Sequence, residues 1–306
     1  MKGKRGIWNV VAAIGIAVAV AAVACLAALL MMQGKAASPE PSPGAAEEAA
    51  ESRWPEVDWT YWQGVNPDVV GWISIPGTSV SQPVVQAPAD DPNRYLSHDV
   101  YGNWNPWGAI YIDAECEGGL LESPNAVVYG HHMDDGSMFA EVTGYSDSGW
   151  AAEHATVLVQ TPTDRRAYKV RYADVVNNGT LPKRVEFLDK TDFDAWYAEG
   201  LADAAAVVDA DERPEQTISL VTCSYWRYWD ERTVVVCSED YSDNDTVVAD
   251  GFKALGPQGR RAAVHARIWG NERAGKAEAG MDETEAIAAG AGGVDDTACE
   301  GPDEAE

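Results

Sequence analysis

The stretch TISLVTCSYWRYWDERTVVV, residues 217–236, decides how this chain is read. Residues 217–223 form one β-strand pattern that ends in Cys223, and residues 232–236 form a second that begins with Arg232. The residues between them, 224–231, are aromatic, polar and charged. If the two strands pair as an antiparallel hairpin, the last residue of one lies beside the first of the other. Cys223 and Arg232 then share one end of a sheet. A fixed positive charge beside a thiol favours the ionised sulfur, and a thiolate both attacks acyl carbons and leaves them well. Cys223 is therefore the candidate nucleophile. A proton acceptor lies upstream in Tyr129-Gly130-His131-His132, after the apolar run Ala126-Val127-Val128.

The segment NAVVYGHHMDDGSMF (125–139), together with the Thr222-Cys223 pair and its downstream Arg232, resembles the signature of sortases, most closely class B. The resemblance extends over roughly residues 55–240 and includes NPDVVGWISIPGTSVSQPVVQ (66–86). It implies a mainly β fold: an eight-stranded barrel with N-terminal helices and one helix in the long connection before the cysteine strand, beside a substrate groove. It also implies a cysteine transpeptidase. Cys223 attacks the peptide bond after Thr in a C-terminal sorting signal of another secreted protein. The thioester is then released by an amine of a peptidoglycan precursor or a pilin. The motif places the catalytic histidine directly after Tyr-Gly, which selects His131 as general acid–base; many relatives carry Asn where His132 stands. Arg232 donates to the oxyanion of the tetrahedral intermediate, with Arg227 as the alternate in the same loop. Leu96, Thr222 and Ser224 are candidate substrate contacts. Two features depart from the family and leave the sorting signal open: Val221, where many class B relatives have Ser, and the aromatic loop around Trp226, Tyr228 and Trp229.

Composition narrows the partners. A formal net charge of −27 repels phosphate and argues against nucleic acid. Residues 7–32 carry no charged side chain. As a helix they span about 39 Å, enough for a hydrocarbon core of about 30 Å. Lys2, Lys4 and Arg5 precede them, so residues 1–6 are expected in the cytoplasm and the rest of the chain outside. A cleaved signal peptide ending near Ala36-Ala37-Ser38 is the rival reading of the same segment. Residues 33–52, rich in Ala, Glu, Pro and Ser, read as a linker, and 53–242 as the catalytic domain of a monomer. Residues 243–306 read as an acidic, mostly disordered tail with a weak helix near 260–269.

Within the domain, many short strand patterns separated by turns predict an antiparallel barrel or sandwich. Residues 71–75 and 80–85 flank a Pro-Gly turn, and 155–160 and 167–176 form a hairpin across 161–166. Phe193, Trp196, Tyr197 and Leu201 fall on one helical face, with Thr191 as the expected cap. Trp54, Trp59, Tyr61 and Trp62 read as aromatics packed on the core.

Four cysteines outside the apolar segment are too few for a disulfide scaffold, and their spacings are not those of a zinc site. Cys237 reads as a small buried hydrophobe, and a Cys116–Cys237 bridge stays open. Adjacent strand histidines point to opposite faces and make a poor chelate, so neither metal nor cofactor is expected. The rival functions are a hydrolytic thiol peptidase and a catalytically silent, membrane-anchored binding module of the same fold. Papain-like and L,D-transpeptidase folds also use Cys and His. The former place cysteine at a helix N-terminus, whereas TISLVTC reads as a strand.

Overall fold

The computed structural model describes residues 53–177, 183–210, 213–224, 230–243, 246 and 256–270. The expected membrane segment 7–32, the linker 33–52, Arg227 with its aromatic neighbours, and Cys25 and Cys299 lie outside the described residues. Among the described residues, no helix is long and apolar enough to cross a membrane.

The elements run α1 (Trp59–Val65), β1 (Val69–Ser74), β2 (Ser81–Gln86), β3 (Ile110–Ile112), α2 (Gly119–Glu122), β4 (Asn125–Tyr129), α3 (Ser148–Glu153), β5 (Thr156–Gln160) and β6 (Arg165–Asn177). They continue through α4 (Lys190–Asp203), β7 (Ala206–Val207), β8 (Thr217–Cys223), β9 (Glu231–Glu239) and α5 (Gly256–Trp269). The strands follow the order β5-β1-β2-β3-β4-β8-β9-β6-β7, and β5 also pairs with β6. That last pairing closes eight strands into a barrel, with the two-residue β7 laid along β6. Its interior is filled by Ile73, Ile110, Ile112, Val128, Val159, Leu220, Val235 and their neighbours, all buried.

The expected antiparallel barrel is mixed. β2 pairs with β3 and β4 with β8 in parallel. Each parallel pair needs a long crossover. Residues 87–109 make the first and 130–216 the second; the first arrives at, and the second leaves from, the end of the barrel where β8 finishes in Cys223. That end is where the candidate functional side chains gather.

The predicted hairpins form, with β1 antiparallel to β2 and β5 antiparallel to β6. The helix before the cysteine strand forms too, with Phe193 and Tyr197 buried and Trp196 and Leu201 packed on the core. Its cap is Asp189, whose carboxylate accepts from the Asp192 amide at 2.9 Å, and not Thr191, which lies inside the first turn. Of the N-terminal aromatics, Trp54 is buried and Trp62 leans on Trp72 with ring centroids 5.7 Å apart, while Tyr61 is exposed.

The weak helix expected near 260–269 begins at Gly256 and is docked on the domain through buried Arg260, Val264 and Trp269. The helix expected within residues 243–306 is thus present, and it starts four residues earlier than the sequence suggests. The polar attachments that dock this helix leave no apolar stripe in the sequence.

Candidate active site

Three neighbouring strands build the site. In the β8–β9 hairpin, Cys223 and Arg232 are direct cross-strand partners. Directly opposed residues project to the same face, so sulfur and guanidinium stand side by side. On the other side of β8, β4 runs parallel, with Tyr129 opposite Val221 and the Gly130 amide donating to the Val221 carbonyl at 3.2 Å. His131 follows two residues beyond that last pair, in the loop that leaves β4 at the same end of the sheet. Neighbouring strands lie about 4.8 Å apart, so this loop and Arg232 on β9 flank the end of β8 from its two sides. Cys223 is 6% exposed and Arg232 9%, so the charge stands in a site largely withdrawn from water.

Both histidines are fixed by backbone carbonyls. His131 Nε2 donates to the Leu96 carbonyl at 2.8 Å. A carbonyl can only accept, so in the neutral ring Nδ1 is left as the basic nitrogen. His132 Nδ1 donates to the carbonyl of Cys223 itself at 2.9 Å. The first histidine is thus tied to the 87–109 crossover, and the second ties its loop to the backbone of Cys223. Two glycines make the approach feasible. A Cβ on Gly130 would stand 2.6 Å from the Phe139 ring. Gly108 adopts φ +59, and a Cβ there would stand 2.3 Å from the Tyr95 carbonyl and 3.2 Å from the His131 ring. The loop after His132 closes on itself: the Phe139 amide donates to the His131 carbonyl at 2.9 Å, and Asp135 accepts from the Ser137 amide at 2.9 Å.

The face that carries Cys223 continues down β8 through Val221, Ser219 and Thr217. Asn125 on β4 accepts from the hydroxyls of Thr217 and Ser219, each at 2.9 Å, and donates to the Arg184 carbonyl at 2.8 Å. Lys183 pairs with Asp113 at 2.8 Å. The stretch leading into α4 therefore covers the base of this face. Tyr111 and Tyr129 stack along it with centroids 5.2 Å apart. Burial, then Asp113 and the Cys223 sulfur, push the Tyr111 phenol up, so it stays protonated.

The candidate substrate contacts sort differently. Leu96 is at the site, through the carbonyl that holds His131. Thr222 is opposite Thr233 and 2% exposed. Side chains alternate across a strand, so its hydroxyl faces away from the Cys223 side and does not line the same surface. Ser224 is buried, with its amide donating to the Glu231 carbonyl at 3.0 Å. Cys116 and Cys237 are both unoxidised thiols and are not bridged to each other. Burial pushes both Cys116 and Cys237 up to about 12, which keeps them protonated and unreactive at neutral pH.

A family model, Sortase domain, matches residues 73–240, more than half of the 306-residue chain. The chain belongs to the sortase family. This sortase is most similar to class B members and is accordingly a cysteine transpeptidase. Sortase B of Listeria monocytogenes serovar 1/2a is 27% identical over 177 residues, which cover 57% of this chain and 70% of that protein. Sortase B of Staphylococcus aureus is 32% identical over 93 residues, covering 30% and 37% respectively. Among solved structures, Clostridium perfringens sortase B superposes with a TM-score of 0.55 at 25% identity, over 59% of this chain and 98% of that one. The matched region runs from the last residues of β1 through β9 and ends before α5 begins.

Proposed function

We propose that this sortase is a membrane-anchored, class B-type transpeptidase. In this reading it joins the C-terminal sorting signals of secreted proteins to an amine of a peptidoglycan precursor or a pilin. The observation that supports the reading most directly is the gathering at one barrel end of the Cys223–Arg232 cross-strand pair and the His131-His132 loop, whose second histidine bonds the Cys223 carbonyl. The Cys223 thiol proton passes to His131 Nδ1 as the sulfur attacks the carbonyl carbon of Thr, and the carbonyl π pair moves onto oxygen. Arg232 donates hydrogen bonds to that oxyanion, an interaction typically worth about 3–4 kcal/mol of barrier. The carbon–nitrogen bond then breaks as His131 delivers a proton to the departing amine. The acceptor amine attacks the thioester, His131 takes its proton, and the sulfur leaves.

Residues 7–32 anchor the chain in this reading, with residues 1–6 cytoplasmic and the catalytic domain outside the cell. The rim loops, including Leu96 and the backbone around Ser224, contact the signal peptide. The test is a peptide-library cleavage assay with the full chain in detergent, read by mass spectrometry with and without added amine. Transpeptidation predicts a peptide–amine product at the expense of free acid. Free carboxylate as the sole product, even with abundant amine, would make the protein a thiol peptidase, and no cleavage at all would make it a silent binding module.

A further inference from the structure

Helix α5 lies beyond residue 240, where the matched sortase domain ends, and it is bound along its length, including an ion pair from Arg267 to Glu122 of α2. At its start, the Arg260 guanidinium donates to the carbonyls of Tyr241 and Asp243, just after β9. Midway, Glu215, which stands just before β8, accepts from Arg261 Nε at 3.0 Å and from His265 Nδ1 at 2.8 Å. At its end, Trp269 donates its indole N–H to the Glu215 carbonyl at 2.9 Å and is 5% exposed. The Trp269 ring also packs against Phe193 of α4, with centroids 5.3 Å apart. Phe193 is fully buried and anchors an aromatic cluster with Phe187 and Trp196. That cluster belongs to residues 183–203, the same connection whose Arg184 carbonyl and Lys183 ammonium cover the base of the Cys223-bearing face. One side chain thus touches both the entry to the nucleophile strand and the element laid over that strand's outer face.

We propose that Trp269 is a positioning residue and α5 a clip, holding the 183–203 connection against β8 so that the wall of the peptide groove is ordered before substrate arrives. That groove is where the sorting-signal peptide of the function proposed above would lie, and the clip rests on that reading. A wall that must be ordered on binding takes its entropy cost out of affinity, whereas the thiol, imidazole and guanidinium at the rim are untouched by α5. Loss of the clip therefore raises KM and spares kcat.

The experiment uses the full chain in detergent with the substitutions Trp269→Ala, Trp269→Phe and Glu215→Gln. It measures steady-state cleavage of a sorting-signal peptide and hydrogen exchange with peptide-level resolution. Trp269→Ala should raise KM about tenfold, the scale of one aromatic contact, with kcat held within about twofold. Exchange should quicken across 183–203 and stay unchanged in β1–β3. Trp269→Phe keeps a ring against Phe193 and should restore most of the loss. Glu215→Gln, which removes the ionic attachments and keeps the ring contact, should shift KM in the same direction by less. An unchanged KM with unchanged exchange in 183–203 overturns the proposal, as does faster exchange spread uniformly over the barrel. The exchange measurement requires no turnover, so it decides on the clip even if the wild-type chain cleaves no sorting signal.

Discussion

Cys223 and Cys237 sit on neighbouring strands of one hairpin and meet opposite fates. Cys223 ends β8 at the barrel rim with Arg232 as its cross-strand partner. Cys237 lies opposite Ile218, fully buried, where desolvation pushes its thiol up to about 12. The chain places the two sulfurs only a few residues apart in register, yet one stands beside a guanidinium at an opening and the other is packed as a small hydrophobe. Reactivity here is granted by position along the strand and not by residue type. The same contrast separates the two histidines, one held by a distant crossover and the other by the nucleophile's own carbonyl.

The largest effect expected from this contrast is at His131. Replacing it with Asn should lower kcat/KM by about 10²–10⁴, the usual contribution of a positioned acid–base group. An effect of tenfold or less, in the peptide cleavage assay, would move proton transfer elsewhere. Arg232→Lys should cost about 10²–10³, because lysine keeps the charge and loses the planar fork that reaches oxyanion and backbone together. Near-normal turnover would show that charge alone suffices. His132→Asn should cost about tenfold, since His132 orients the Cys223 carbonyl and is not the group that moves the proton; a loss equal to that of His131→Asn would reverse the two roles.

The smallest effect sharpens the buried half of the comparison. With Cys116 and Cys237 raised from the ordinary 9.0 to about 12, folded and unfolded chains both keep these protons below pH 9. Above pH 9 the unfolded chain releases them first, so stability falls as pH rises from 9 towards 12. Each thiol contributes about 1.4 kcal/mol per pH unit to that slope. Denaturant titrations at stepped alkaline pH measure it, and Cys237→Ala should flatten it while leaving peptide cleavage at neutral pH unchanged. A slope untouched by that substitution would place the Cys237 sulfur in contact with water.

Much of the rim was legible beforehand because it depends on side-chain identity. A cysteine closing one strand pattern and an arginine opening the next require the cross-strand pair that β8 and β9 make. The amphipathic face of Phe193, Trp196, Tyr197 and Leu201 likewise predicts the buried side of α4. What the sequence hides is carried by the backbone or by polar contacts between distant segments. The carbonyls of Leu96 and Cys223 fix the two histidines, and any residue supplies a carbonyl. Parallel pairing of β4 with β8 depends on a crossover, which strand patterns do not announce. Asp189 and Thr191 both suit a helix cap, and only the chain's entry angle separates them. The docking of helix α5, though not the helix itself, is hidden for a related reason: Arg260, Arg261, His265 and Arg267 make the attachments, and a basic, sparsely apolar segment reads as solvated.

The most direct test of the central claim, that position at the rim makes Cys223 and no other thiol the nucleophile, is intact-mass detection of the acyl-enzyme. The wild-type, Cys223→Ala and Cys237→Ala chains are each mixed with a sorting-signal peptide, quenched in acid and weighed. The account predicts a thioester adduct on the wild-type and Cys237→Ala chains and none on Cys223→Ala. An adduct that persists on Cys223→Ala would contradict it.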